Sequence, residues 1–212
     1  MRNTLILAAL LAAAPFAASA EGMSYTYVEA GYANLKSDGV DAMSGAYARG
    51  SFAIAPQVFV FGSYSRVSDT QRFDFGFPGD EDELRLKYTI TQPEIGIGYH
   101  MEFTEKLDFV ADAAYQQLEV KAKVSSSTSS DSDKANVDVA RITAGVRGKP
   151  SPRTEAWLKA GYFHFNGGGQ NEGKAAGIAG LQVNLTPMWG IVGEMQFYDS
   201  NRQGTIGVRA SF

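Results

Sequence analysis

The chain is expected to fold as an all-β, antiparallel up-and-down transmembrane barrel of about ten strands, eight being the alternative, with short periplasmic turns and longer outer loops. Three observations lead there. After position 20, apolar and polar residues alternate one by one through most of the 212 residues, the period of a strand with two unlike faces. No stretch beyond Ala20 approaches the about 18 consecutive apolar residues of a spanning helix. Residues 204–212 read Gly-Thr-Ile-Gly-Val-Arg-Ala-Ser-Phe, with Ile206, Val208, Ala210 and Phe212 on one side of a strand and Thr205, Gly207, Arg209 and Ser211 on the other. A strand closing on an aromatic suits a lipid interface better than water.

The opening residues follow a different rule. Arg2 supplies a positive start, Leu5 to Ala14 is an apolar run, Pro15 breaks it, and Ala18-Ser19-Ala20 has the small-x-small form of a cleavage site. Residues 1–20 are therefore expected to be a cleaved signal peptide and residues 21–212 the barrel. Without the leader, 18 basic face 23 acidic residues, a net charge of −5, which does not suggest a nucleic-acid partner. Zero cysteines exclude disulfides and thiol chemistry.

Ten strands are expected, at about 24–34, 42–53, 58–67, 84–101, 107–122, 136–148, 155–166, 175–185, 189–198 and 204–212. Several end an alternating apolar stretch on two mostly small residues and then Tyr, as in Ala30-Gly31-Tyr32, Gly62-Ser63-Tyr64, Ile97-Gly98-Tyr99, Ala113-Ala114-Tyr115 and Ala160-Gly161-Tyr162. These tyrosines, with Trp189, read as aromatic girdle residues at the membrane rims. One set of connections is turn-like, such as Ala55-Pro56-Gln57 and Thr186-Pro187-Met188. The other set is polar and mostly longer, including 68–83 and 123–135, and an even strand count puts both termini on the periplasmic side.

The faces differ in charge. Val28, Ala30 and Tyr32, or Ile142, Ala144 and Val146, or Trp189, Ile191, Met195 and Phe197 mark faces almost free of it. The opposite faces carry Glu29, Arg49, Glu94, Asp108, Asp112, Arg141, Arg147, Lys159, Glu194 and Arg209. Five acids against five bases predict a lumen filled by mutual ion pairs, because an unpaired buried charge is expensive. A soluble sandwich would put the charged faces outside, yet would not explain the strand-end tyrosines or the alternating loop lengths. In the third strand Phe59 and Phe61 share the inward parity, against the trend. The apolar parity also switches within two strands, from Ile95, Ile97 and Tyr99 back to Leu84, Leu86, Tyr88 and Ile90, and from Phe109 to Tyr115 across to Leu118 to Val124. A bulge near Gln92-Pro93 or Gln116-Gln117 is the expectation, with the third to sixth strands continuing outward as a protruding sheet.

Catalytic signals are weak. His100 and His164 read as rim residues, and His164-Phe165-Asn166 offers no neighbouring serine nucleophile. No enzyme, cofactor or metal site is expected. The acidic run Asp80-Glu81-Asp82-Glu83 reads as a solvated loop, with divalent-cation bridging to lipopolysaccharide as the sharper reading.

The signal peptide, the small-small-Tyr strands and the closing Phe resemble small outer-membrane barrels of the OmpX and OmpA-transmembrane-domain kind. The stretch Glu21-Gly22-Met23-Ser24-Tyr25-Thr26-Tyr27-Val28-Glu29-Ala30-Gly31-Tyr32 is also similar to the diffusible-signal-factor-regulated Ax-type outer-membrane proteins. The resemblance implies a Gram-negative outer-membrane location, contact with lipopolysaccharide and the barrel-assembly machinery, and Val208, Ala210 and Phe212 as the assembly signal. It also implies an exported, surface-exposed structural or interaction protein, in adhesion or envelope integrity. A monomer with an external protein or surface ligand is expected. A narrow solute or ion channel is the alternative function, followed by a lipid-modifying enzyme.

Overall fold

A computed structural model describes residues 22–37, 41–74, 83–125, 130–167 and 169–212. Residues 1–21, which include the export signal expected at 1–20, and Asp80 to Asp82 lie outside them. The described residues form ten strands: β1 (Tyr27–Ser37), β2 (Met43–Ala55), β3 (Val58–Asp74), β4 (Glu83–Thr104), β5 (Leu107–Ser125), β6 (Ser130–Ser151), β7 (Thr154–Gly167), β8 (Gln170–Asn184), β9 (Trp189–Tyr198) and β10 (Asn201–Ser211).

Each strand pairs antiparallel with the next, and β10 returns to β1, so the sheet is a closed barrel. The closing register runs from Tyr27 opposite Ser211 to Ser37 opposite Asn201. Closure matters in lipid, where an open edge would leave its N–H and C=O groups without partners. The alternation now acquires a direction. Val28, Tyr32, Ile95, Ile142, Leu158, Ile191 and Val208 are exposed on the outer wall, while Glu29, Arg141, Arg147 and Arg209 are buried inside. Phe59 and Phe61 do face inward, Phe59 being buried with Tyr25 and Val110.

The strands are unequal. β1 and β10 have 11 residues and β9 has 10, whereas β4 and β6 have 22 and β5 has 19. About 9–11 residues cross a bilayer, so β3 to β6 continue well past it as a four-stranded sheet on one side of the barrel. The strands reach further into the outer connections than their polar composition suggested. Residues 130–135 pair with 120–125 of β5, because a ladder satisfies backbone groups that a loop would leave to water.

The expected bulges are absent. β3 keeps one register on β4 from Val58 opposite Tyr99 to Asp74 opposite Glu83, and β4 keeps one on β5 from Arg85 opposite Ser125 to Glu102 opposite Asp108. The local defect is a gap in the β4–β5 pairing at Gln92 and Pro93, where proline has no N–H to give. The surroundings change instead of the backbone. Within the membrane the outer wall meets lipid and must be apolar; beyond it the wall meets water, and the apolar residues turn inward. Tyr88 and Ile90 pack inside on Ala33, Leu35, Met43, Tyr47 and Val67. Leu118 and Val137 pack on Val139, Phe163 and Ala176. The outer end of the barrel is thus built like a water-soluble core.

Candidate functional site: the lumen and the sheet beyond the membrane

Strand pairing places the luminal charges opposite one another. Glu29 of β1 lies between Arg209 of β10 and Arg49 of β2 in the register. Arg209 donates from Nε to Glu29 Oε2 at 2.7 Å, and Tyr47 donates its hydroxyl to Oε1 at 2.6 Å. Arg49 stands 3.9 Å from that carboxylate and donates to Glu194 Oε1 at 3.0 Å. Trp157 donates its indole N–H to Glu194 Oε2 at 2.8 Å, and Gln196 donates to Oε1 at 3.1 Å. Arg209 also donates to Gln182 at 2.9 Å, and its guanidinium lies 3.9 Å from the centroid of the Tyr27 ring.

A second group occupies the facing wall. Arg141 donates to Glu94 at 3.1 Å and pairs with Asp112 at 3.2 Å, and Lys159 donates to the other Asp112 oxygen at 2.8 Å. Phe61 and Phe163 flank the Arg141 guanidinium at 5.7 and 5.9 Å. Nearer the periplasmic end, Arg147 binds Glu155 through Nε at 3.1 Å and through Nη2, and donates to the Ser24 carbonyl at 3.0 Å. Tyr25 donates to Asp108 at 2.7 Å and stacks on His100 with centroids 3.8 Å apart.

All ten charges singled out in the sequence therefore point into the barrel, and each finds a partner there. Sequence reasoning missed Glu155, Gln182, Tyr25, Tyr47 and Trp157, which complete the set. Glu155 shares parity with Trp157 and Lys159, so strict alternation along β7 was the signal that could have found it. The filling leaves an internal cavity of about 80 Å³, bordered by Arg49, Glu94, Arg141 and Glu194 among others. That has room for a few waters. Above the charges the lumen is apolar, in the outer clusters already described, while at the periplasmic end Tyr25, Phe59 and Val110 pack among Asp108, His100 and Arg147. The segment before β1 supplies that lower plug.

The outer wall carries two aromatic levels. Tyr32, Tyr64, Tyr115 and Tyr162 are about half exposed on strands running outward, near the outer end, whereas Tyr99 and Trp189 are exposed near the turns at the opposite end. Tyr99 donates its hydroxyl to Gln57 in the β2–β3 turn at 3.2 Å. On β10 Val208 is exposed but Ala210, opposite Trp189 and Val28, is buried. Phe212 donates its N–H to the Thr26 carbonyl at 2.9 Å, which ties it to the segment before β1. His164 is exposed on the outward face of β7.

A closed antiparallel barrel with a lipid-facing wall between two aromatic levels, and an ion-paired interior, is the architecture of a bacterial outer-membrane protein. The chain belongs to the outer membrane protein beta-barrel domain family, which it matches over residues 4–211. It is similar in fold to the outer membrane protease OmpT from Escherichia coli, at 11% identity and a TM-score of 0.54, over 88% of this chain and 94% of that one. Ail, the attachment invasion locus protein of Yersinia pestis, aligns at 17% identity and a TM-score of 0.44, over 89% of this chain and 98% of that one. The translocator domain of the autotransporter NalP from Neisseria meningitidis aligns at 13% identity and 0.43, over 99% and 96%. None of the curated proteins matches the chain.

Proposed function

We propose that this outer-membrane barrel is a surface-exposed interaction protein whose working part is the sheet of β3 to β6 outside the membrane, and whose lumen is structural. The observation that carries the reading is the sheet's free edge. β7 pairs with β6 from Asp138 toward the periplasm and its last residue, Gly167, still lies against Asn136 and Val137, so among the described residues 130–135 have a neighbour strand on the β5 side alone. Unpaired backbone groups on such an edge can accept an extended segment of an external protein as one more strand. That geometry supports a role in adhesion or envelope contact. The closed, ion-paired lumen argues against a channel, and no catalytic group is assigned to His100 or His164.

Under the same reading residues 1–20 act as a cleaved export signal, and Val208, Ala210 and Phe212 form the segment that the assembly machinery recognises. The barrel works as a monomer among outer-leaflet lipids. The test is to replace residues 119–136 by a short glycine-containing turn and compare cells carrying either form for attachment to epithelial and bacterial surfaces. Attachment by the full-length form that disappears with the hairpin supports the proposal. Equal attachment by both forms, with both barrels folded, contradicts it.

A further inference from the structure

The outward face of the protruding sheet carries a second feature, independent of its edge. Lys87 of β4 lies directly opposite Lys123 of β5, and Lys121 of β5 lies directly opposite Lys134 of β6. Directly opposed side chains of an antiparallel pair sit about 5 Å apart at Cβ, and like charges there are destabilising. Lys87, Lys123 and Lys134 are exposed and Lys121 is half-buried. On β5 and β6 this face carries Glu119 and Asp138, and both are engaged: Glu119 lies 3.7 Å from Lys134, and Asp138 accepts the Tyr115 hydroxyl at 2.6 Å. Asp74 of β3 and Glu83 of β4 have the same outward parity and stand opposite one another in the register. Among the described residues no carboxylate pairs with Lys87, Lys121 or Lys123. The opposite face of the same hairpin holds Asp131 and Asp133, across from Val124 and Ala122. The lysines of the hairpin thus stand together on its outward side, and Asp131 and Asp133 on the other.

The position of the lysines identifies the occupant. They project from the same side of the strands as Tyr115 and Ile95, the membrane-facing wall, so they look sideways over the bilayer and not up from its tips. Lys121 and Lys123 stand six and eight residues beyond Tyr115, roughly 15–20 Å further from the hydrocarbon once strand tilt is allowed for. That level lies above acyl chains and ester groups and is occupied by the sugars of neighbouring outer-leaflet glycolipids. We propose that Lys87, Lys121, Lys123 and Lys134 form a lateral binding face for the anionic inner-core sugars, phosphorylated or carboxylated, of adjacent lipopolysaccharide. Four lysines, each with its Cβ about 5–7 Å from that of the next across three strands, can spread their ammonium groups over several anionic substituents of one oligosaccharide. Binding removes the cross-strand repulsion that the bare sheet bears.

The test uses the full folded protein in detergent micelles, with the phosphorylated inner-core oligosaccharide released from rough lipopolysaccharide as the probe, titrated calorimetrically. The same oligosaccharide after phosphatase treatment and a sulfated polysaccharide serve as comparisons. Wild type is expected to bind the phosphorylated form at least about tenfold more tightly than the dephosphorylated one, with affinity falling as salt rises. Lys→Gln at all four positions should abolish that preference, and Lys→Arg at all four should retain it. Because these side chains lie outside the barrel, both variants should keep the folded gel mobility of wild type. Equal affinity of wild type and the Gln variant overturns the proposal. So does tighter binding of the sulfated polysaccharide than of the oligosaccharide, which would assign the face to a soluble polyanion.

Discussion

Arg209 on the last strand and Glu29 on the first stand directly opposite across the seam that closes the barrel, joined by contacts of 2.7 and 2.6 Å to one carboxylate oxygen. Backbone pairing closes the ring, and this buried pair fixes which residues meet there. A one-residue slip would carry Arg209 to the lipid side. Removing one member leaves the other charged and desolvated. Glu29→Ala is expected to lower unfolding stability by about 3–5 kcal/mol, and Glu29→Leu with Arg209→Met by much less. Denaturant titration in lipid vesicles measures both; a double variant as damaged as the single one would count against the argument.

Glycine is needed where a luminal ring lies flat against the wall. A Cβ at Gly180 would come within 2.1 Å of the Trp157 ring, and that ring holds Glu194 through its indole N–H. Gly180→Ala should displace Trp157, cost about 1–3 kcal/mol, and shift tryptophan fluorescence to longer wavelength. An unchanged emission spectrum would show that the ring does not occupy this position.

The outer halves of β4 and β5 are expected to be protected. Residues 85–91 and 117–124 carry ladder bonds and cover the apolar clusters above the ion pairs. Amide exchange should be markedly slower there than in a loop. Rapid exchange at both segments would remove the protruding sheet from the structure.

These segments also show how far the sequence could be read. Strand number, strand faces and the inward set of charges follow from alternation, because a membrane barrel imposes lipid outside and polar groups inside. The parity switch in β4 and β5 was visible but suggested a bulge, since alternation records a change of side without saying whether chain or surroundings changed. The luminal partners were less legible. Which cation meets which acid depends on cross-strand register, so Arg147 with Glu155 and Arg49 with Glu194 needed the pairing itself. Trp157, Tyr47 and Phe163 inside the lumen were hidden because both faces of these strands carry aromatic residues.

Phe212 is held by its N–H to the Thr26 carbonyl at 2.9 Å, and Ser24 Oγ donates to its carbonyl at 2.6 Å. Deleting Phe212 is expected to reduce barrel insertion several-fold while leaving export to the periplasm unchanged. Fractionation followed by comparison of boiled and unboiled gel migration reads both quantities. Normal insertion of the shortened chain would contradict the assembly role of Val208, Ala210 and Phe212.

Placing the protein's work outside the barrel rests on a lumen filled by ion pairs and capped at its outer end by apolar clusters. Single-channel recording in planar bilayers tests that most directly. The purified barrel is expected to give no steady current above the bare membrane. Stable unitary steps that change on Glu29→Ala or Arg147→Ala would show that ions pass the paired charges, and would return the function to the lumen.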